Sequence, residues 1–207
     1  MSEVRILIVE DEPLIAENIA LYLNNNDFKV SGIAYDGEAA RQQIKQNTPD
    51  AVLIDINLGA QEDGIDLARF VRKNYPIPLL FLTSYTDKET IGRAKEAEPD
   101  AYIVKPFNEK ALLACLEIAL SNFAKRNNSQ IPVLSFFKIN KHLIHQLSER
   151  EFEVLQLIYE GKTNQQIAER IVISINTIKK HINSAYLKLD VATRTSAIAR
   201  MLELMRM

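Results

Sequence analysis

Cysteine occurs once in this 207-residue chain and histidine three times. The lone Cys115 excludes an intramolecular disulfide, so the fold rests on packing alone. Within the apolar spacing Leu112, Cys115, Leu116, Ala119 it reads as a small packed side chain. His142 and His145 stand three apart with no third ligand in view, and read as ordinary polar residues near a domain joint. No apolar run approaches the roughly 18 residues that span a bilayer, so no membrane segment is expected. The N-terminus enters a strand pattern at once and turns acidic at Glu10, which predicts no secretory leader and a cytoplasmic chain. An excess of one charge is also missing, because the net charge is −2.

That near-neutrality hides an asymmetry. Residues 1–125 hold 13 Lys+Arg against 20 Asp+Glu, a balance of −7, whereas residues 126–207 hold 12 against 7, a balance of +5. An acidic half is therefore joined to a basic half, and the basic half favours a nucleic-acid partner. The length allows one or two domains, and 47% apolar residues suffice for a core in each.

The first half alternates strand and helix patterns. Strands are predicted near 4–9, 29–34, 51–55, 79–83 and 101–104, with helices near 13–24, 36–46, 65–74, 88–96 and 109–122. Pro13 suits a first helical turn, and Asp36, Asp87 and Asn108 are placed as N-caps. Apolar runs as short as Ala51–Ile54 read as strands buried on both faces of a parallel sheet. Five βα repeats with short connections predict one doubly wound sheet. Residues 56–64, polar and with two glycines, read as a mobile lip over its carboxyl edge.

Glu10-Asp11, Asp55 and Lys105-Pro106 each close one of the apolar runs, and functional groups collect at the carboxyl ends of such strands. Three carboxylates so gathered repel unless a divalent cation sits among them, and hard oxygen ligands suit magnesium. Thr83, after Leu79–Leu82, offers a hydroxyl, and Lys105 offers a compact cation.

In this order and at these strand ends, Glu10-Asp11, Asp55, Thr83 and Lys105-Pro106 resemble the receiver domain of two-component response regulators, over roughly residues 3–122. The resemblance implies a flavodoxin-like receiver in which Asp55 is the phosphoacceptor. Glu10, Asp11, Asp55 and the Asn57 carbonyl would hold Mg2+. Thr83 and Lys105 would contact the phosphoryl group, and Tyr102 would be the aromatic that follows Thr83, although a Tyr in an apolar strand also reads as core. Phosphoryl transfer asks mainly for positioning and charge neutralisation, which such groups supply. Pro106 is expected to follow a cis bond.

A boundary is expected between about 122 and 147. The polar run Asn122–Gln130 reads as linker, and Phe136–Ile139 as either a short strand or an apolar flap. Beyond it, Ser148-Glu149-Arg150-Glu151 and Thr163-Asn164-Gln165-Gln166 are capping boxes opening two helices. Gly161 ends the first, and Ser174 and Thr193 cap a third and a fourth. Two short helices across the turn Arg170–Ser174 predict a helix-turn-helix. On the third helix, Ile178, Ile182, Ala185 and Leu189 share an arc of about 60°, while Asn176, Lys179, Lys180 and Asn183 lie nearly opposite. The polar arc is either a solvated face or a reader of base edges.

Leu147-Ser148-Glu149-Arg150-Glu151, Gly161-Lys162-Thr163-Asn164, Ile173-Ser174, Asn176-Thr177-Ile178-Lys179, His181 and Lys188-Leu189 resemble the LuxR-type helix-turn-helix. The whole chain is thus similar to a NarL/FixJ-type response regulator. This implies a receiver at 1–122, a linker at 123–146 and a small all-α DNA-binding domain at 147–207. Asn176, Lys179, Lys180 and Asn183 would face the DNA, with Thr163, Asn164, Thr177 and Lys188 on its phosphates. Ile198, Met201, Leu202 and Met205 would serve a homodimer on double-stranded DNA, and a sensor histidine kinase would supply the phosphoryl group. Two other readings are an aspartyl-phosphate hydrolase, which would need an acid where Asn57 stands, and a phosphorylation-independent regulator whose receiver only dimerises.

Overall fold

Apolar strands followed by helices long enough to cross back assemble as a parallel sheet. Strands β1 (Val4–Val9), β2 (Phe28–Ala34), β3 (Ala51–Asp55), β4 (Leu79–Thr83) and β5 (Ala101–Val104) alternate with helices α1 (Pro13–Asn24), α2 (Gly37–Gln46), α3 (Gly64–Asn74), α4 (Lys88–Glu96) and α5 (Glu109–Asn128). This computed structural model describes residues 4–24, 28–59, 63–84, 88–128 and 133–207. The sheet order is β2-β1-β3-β4-β5, with Val9 beside Ile54, Asp55 beside Leu82 and Thr83 beside Val104. The order turns back between β1 and β3, and there the strand ends open a crevice.

Strands β3 and β4 are buried along their whole length, and the core includes Leu7, Ile54, Ile65, Leu67 and Phe81. Strand β5 departs from the expected two-sided burial. It lies at the sheet edge, where Ile103 is buried but Tyr102 and Val104 are 38% and 53% exposed. The Asp36 carboxylate caps α2 through the Ala39 N–H at 2.7 Å, and Asn108 caps α5 through that of Ala111 at 2.9 Å. Asp87 lies outside the described residues. The stretch after Asp55 is less polar in place than in sequence, because Ile56 and Leu58 turn into the core.

The chain divides within α5 into two compact units, Arg5–Phe123 in one and Ala124–Met207 in the other. Helix α5 runs to Asn128, beyond the expected stop near 122, since Leu116, Ala119, Leu120 and Ala124 continue its buried stripe. The second unit holds α6 (Phe136–Lys141), α7 (Glu149–Tyr159), α8 (Asn164–Ile171), α9 (Ile175–Leu189) and α10 (Arg194–Arg206). The segment read as linker and as a strand or flap is therefore built differently. Phe136–Ile139 is helical, capped by Ser135, and Leu134 and Ile139 are buried with Leu155, Ile158, Ile182 and Met201. The side chain of Asn140 exchanges two hydrogen bonds with the Leu147 backbone, at 2.7 and 3.0 Å, pinning this segment to the start of α7. Among the described residues, no helix is long and apolar enough to cross a membrane.

Gly64, the first residue of α3, sits against the end of β3. A Cβ there would lie 1.9 Å from the Asp55 carbonyl oxygen, and the Gly64 N–H already donates to Ile56 O at 2.9 Å. Because the obstacle is backbone, Gly64→Ala must displace the strand end that carries Asp55. We expect a loss of about 1–3 kcal/mol, the usual range for overpacking, read by denaturant unfolding.

Candidate acidic site and nucleic-acid interface

The carboxyl ends of β1, β3, β4 and β5 deliver Glu10, Asp11, Asp55, Thr83 and Lys105 to one place, as their order in the sequence predicts. Glu10 is fully buried, and Asp55 and Thr83 are each 5% exposed. The Lys105 ammonium donates to Asp55 Oδ2 at 2.5 Å and to Glu10 Oε2 at 2.6 Å, joining residues that are 95 apart in sequence. The second Asp55 oxygen accepts the Asn57 N–H at 3.1 Å. Carboxylate oxygens of Glu10, Asp11 and Asp55 lie within 4.8 Å of one another. Gly59, at φ 61°, gives the Asp11 carboxylate room, since a Cβ there would lie 2.7 Å from Asp11 Oδ2.

Electrostatics explains why this cluster is poised for a cation. Burial, reinforced by the neighbouring Asp55 charge, raises the Glu10 carboxyl to about 7 against the pull of Lys105. Burial works against the Lys105 ammonium too, but its two carboxylate partners outweigh that and raise its pKa. One lysine thus compensates three acids incompletely, and an oxygen-only donor set of this kind suits a hard divalent ion. The Lys105–Pro106 peptide is cis. Tyr102 is not a core residue. It is turned outward, with its ring centroid 5.9 Å from that of Phe81.

In the second unit, both capping boxes are in place at Ser148/Glu151 and Thr163/Gln166. Helices α8 and α9 meet across Val172, a β-branched residue held at φ 55°, and Ser174 caps α9. Ile178, Ile182, Ala185 and Leu189 are buried, whereas Asn176, Lys180 and Asn183 are exposed and Lys179 is half-buried. The Thr177 hydroxyl lies 2.9 Å from that of Ser174.

Three residues expected on DNA phosphates are placed otherwise. Thr163 and Asn164 are buried, at 2% and 0% exposure, because the Thr163 hydroxyl accepts the Gln166 N–H and Asn164 begins α8 inside the core. Lys188 donates to Glu151 Oε2 at 2.7 Å. Glu151 also accepts the Ser148 N–H at 2.7 Å and the Ser184 hydroxyl at 2.6 Å. In sequence, Glu151 is legible only as the third residue of a capping box, and nothing local reveals that α9 supplies its other donors. A second unforeseen group is Arg194, buried at the start of α10, which donates to Ile158 O at 3.1 Å and to Lys162 O.

Although burial opposes it, these donors lower the Glu151 carboxyl to about 2 from the ordinary 4.5. Folding then favours the ionised form, so its stabilisation is complete above about pH 4.5 and is lost as pH falls toward 2. The size is of order 3 kcal/mol. Urea unfolding of the second unit across that window should show the loss, and Glu151→Gln should flatten the dependence.

Comparison with known proteins follows the same division. The family "Response regulator receiver domain" matches residues 6–117, and "Bacterial regulatory proteins, luxR family" matches residues 145–201. The response regulator protein VraR of Staphylococcus aureus strain Mu3 is 30% identical over 198 residues, 94% of each chain. Among solved structures, the signal receiver domain of a modulated diguanylate cyclase from Desulfovibrio desulfuricans G20 is 32% identical, with TM-score 0.55, over 61% of this chain and 98% of that one. A two-component response regulator of the LuxR family from Aurantimonas sp. SI85-9A1 is 26% identical, with TM-score 0.51, over 56% of this chain and 84% of that one.

Proposed function

Because the chain belongs to the two-component response regulators, DNA-binding transcription regulators and not enzymes, we propose that Asp55 receives the phosphoryl group and that α9 reads the DNA. One observation carries the first half of this reading. Lys105 reaches Asp55 and Glu10 together while Asp11 converges on the same point.

An Asp55 oxygen attacks the phosphorus of the kinase's phosphohistidine. The phosphorus–nitrogen bond breaks, its electron pair leaves with the imidazole, and Asp55 becomes an acyl phosphate. The Asn57 N–H fixes the Asp55 rotamer, and Lys105 exchanges a carboxylate partner for a phosphoryl oxygen. Glu10, Asp11, Asp55 and the Asn57 carbonyl would hold Mg2+, which would neutralise charge on the phosphoryl oxygens. Thr83 donates to the phosphoryl group from the end of β4. Its movement leaves room for Tyr102, now outward, to turn in, which alters the β5 surface.

For DNA, Asn176 and Asn183 present donors and acceptors to base edges, and Lys179, Lys180 and Thr177 lie beside them for the phosphates. In this reading Thr163 and Asn164 act by fixing the start of α8. Phosphorylation promotes a homodimer to match a two-fold site, but of the α10 residues expected on its contact side Met201 is buried in the core and Ile198 and Met205 pack against it, which leaves Leu202.

Incubation with acetyl phosphate and Mg2+ should add one phosphate by intact mass and tighten DNA binding. Asp55→Asn should take up none, and phosphate retained in that variant would overturn the assignment. Mg2+ alone should raise the thermal midpoint of the receiver unit, by an amount equivalent to about 2.7 kcal/mol at a hundredfold excess over Kd. Asp11→Ala should remove that shift.

A further inference from the structure

Glu151 is used by neither the phosphoryl chemistry nor the base-facing arc, yet it is the best-bonded buried carboxylate of the second unit. Its exposure is 4%, and it takes hydrogen bonds from Ser148, Ser184 and Lys188 at 2.7, 2.6 and 2.7 Å. Ser184 and Lys188 are one turn apart on α9, so a single carboxylate grips that helix at two levels. With the inward stripe of α9 centred near 0°, the polar arc covers about 100–200°, and Ser184 and Lys188 fall at about 240° and 280°. Lys188 thus stands on the flank of the polar arc, where a long side chain can turn either inward or toward a phosphate.

We propose that Glu151 is a positioning residue for DNA binding, which fixes the rotation of α9 through Ser184 and withholds Lys188 from the phosphate backbone. This rests on the reading of α9 as the groove-facing helix. To reach a phosphate, Lys188 must leave a buried carboxylate without its cation, which is strongly unfavourable. In return it would release one counterion, changing the salt slope by about 0.9 and affinity by only about three- to fourfold between 50 and 200 mM salt. The internal partner wins. The positive charge that reaches DNA then comes from the arc itself, with Lys180 at its exposed edge. A charge held back in this way keeps sequence-independent attraction low relative to base readout, so Glu151 acts on selectivity as well as on geometry.

The test is the salt dependence of binding of the full chain to a mixed-sequence duplex, followed by fluorescence anisotropy. Glu151→Gln keeps the shape and acceptor oxygen but drops the charge that holds Lys188. Its log K against log salt should steepen by about 0.9, with binding three- to fourfold tighter at the low end of that range. The double variant Glu151→Gln, Lys188→Met leaves no buried charge and should return the slope to the wild-type value. A merely structural Glu151 would change thermal stability without adding a counterion. Lys180→Ala serves as the reference and should make the slope shallower by about 0.9. If Lys180→Ala does so but Glu151→Gln does not steepen the slope, or the double variant falls below wild type, the withholding role is overturned. If Lys180→Ala leaves the slope unchanged, α9 is not the DNA face and both readings fall.

Discussion

A half-buried lysine shared between two carboxylates is the constraint from which the rest of the first unit follows. Taking Asp55 and Glu10 out of water is unfavourable, and Lys105 offsets that only because three strand ends bring it within 2.6 Å of both. The sheet must therefore be regular enough to hold groups 95 residues apart in register. The continuous burial of β3 and β4, and the close approach of Gly64 to the Asp55 carbonyl, provide that rigidity. Burial is the larger cause of the raised Glu10 carboxyl, and Lys105 offsets it only in part.

The second unit solves a similar problem to the opposite end. Burial by itself would raise the Glu151 carboxyl, but the donors from Ser148, Ser184 and Lys188 outweigh it and hold the group ionised. Such a group does no chemistry. It sets geometry, tying the start of α7 to the last turns of α9, while Asn140 ties α6 to Leu147 and Arg194 ties α10 to the end of α7. Polar ties of this sort select one packing among the many that similar apolar stripes allow.

Much of this was legible beforehand because it depends on local pattern. Short continuous apolar runs located the strands and period-3.6 spacing the helices, and capping residues such as Asp36, Ser148, Thr163 and Ser174 marked where helices begin. The acidic site was legible because each of its members directly follows an apolar run, so strand topology alone predicts convergence. The segment around Phe136 was not, since a short apolar run is consistent with strand, helix or flap until a partner surface is chosen. Nor was the extent of α5, whose polar end hides a buried stripe continuing to Ala124.

The residues thus determined by themselves which chemistry is available: three acids, a hydroxyl and a lysine at strand ends, and a polar arc on a helix with an apolar back. Only tertiary packing decided which of the cations and hydroxyls remain outward. Thr163, Asn164 and Lys188 carry the right chemistry for a phosphate, but capping, burial and the Glu151 carboxylate claim them first. Tyr102 has the composition of a core residue and stands exposed because β5 ends the sheet. Thr163 is held by Gln166 only three residues on, but the physical reason is common to the other three. A side chain's chemistry is local, whereas its competing partners come from elements distant in sequence.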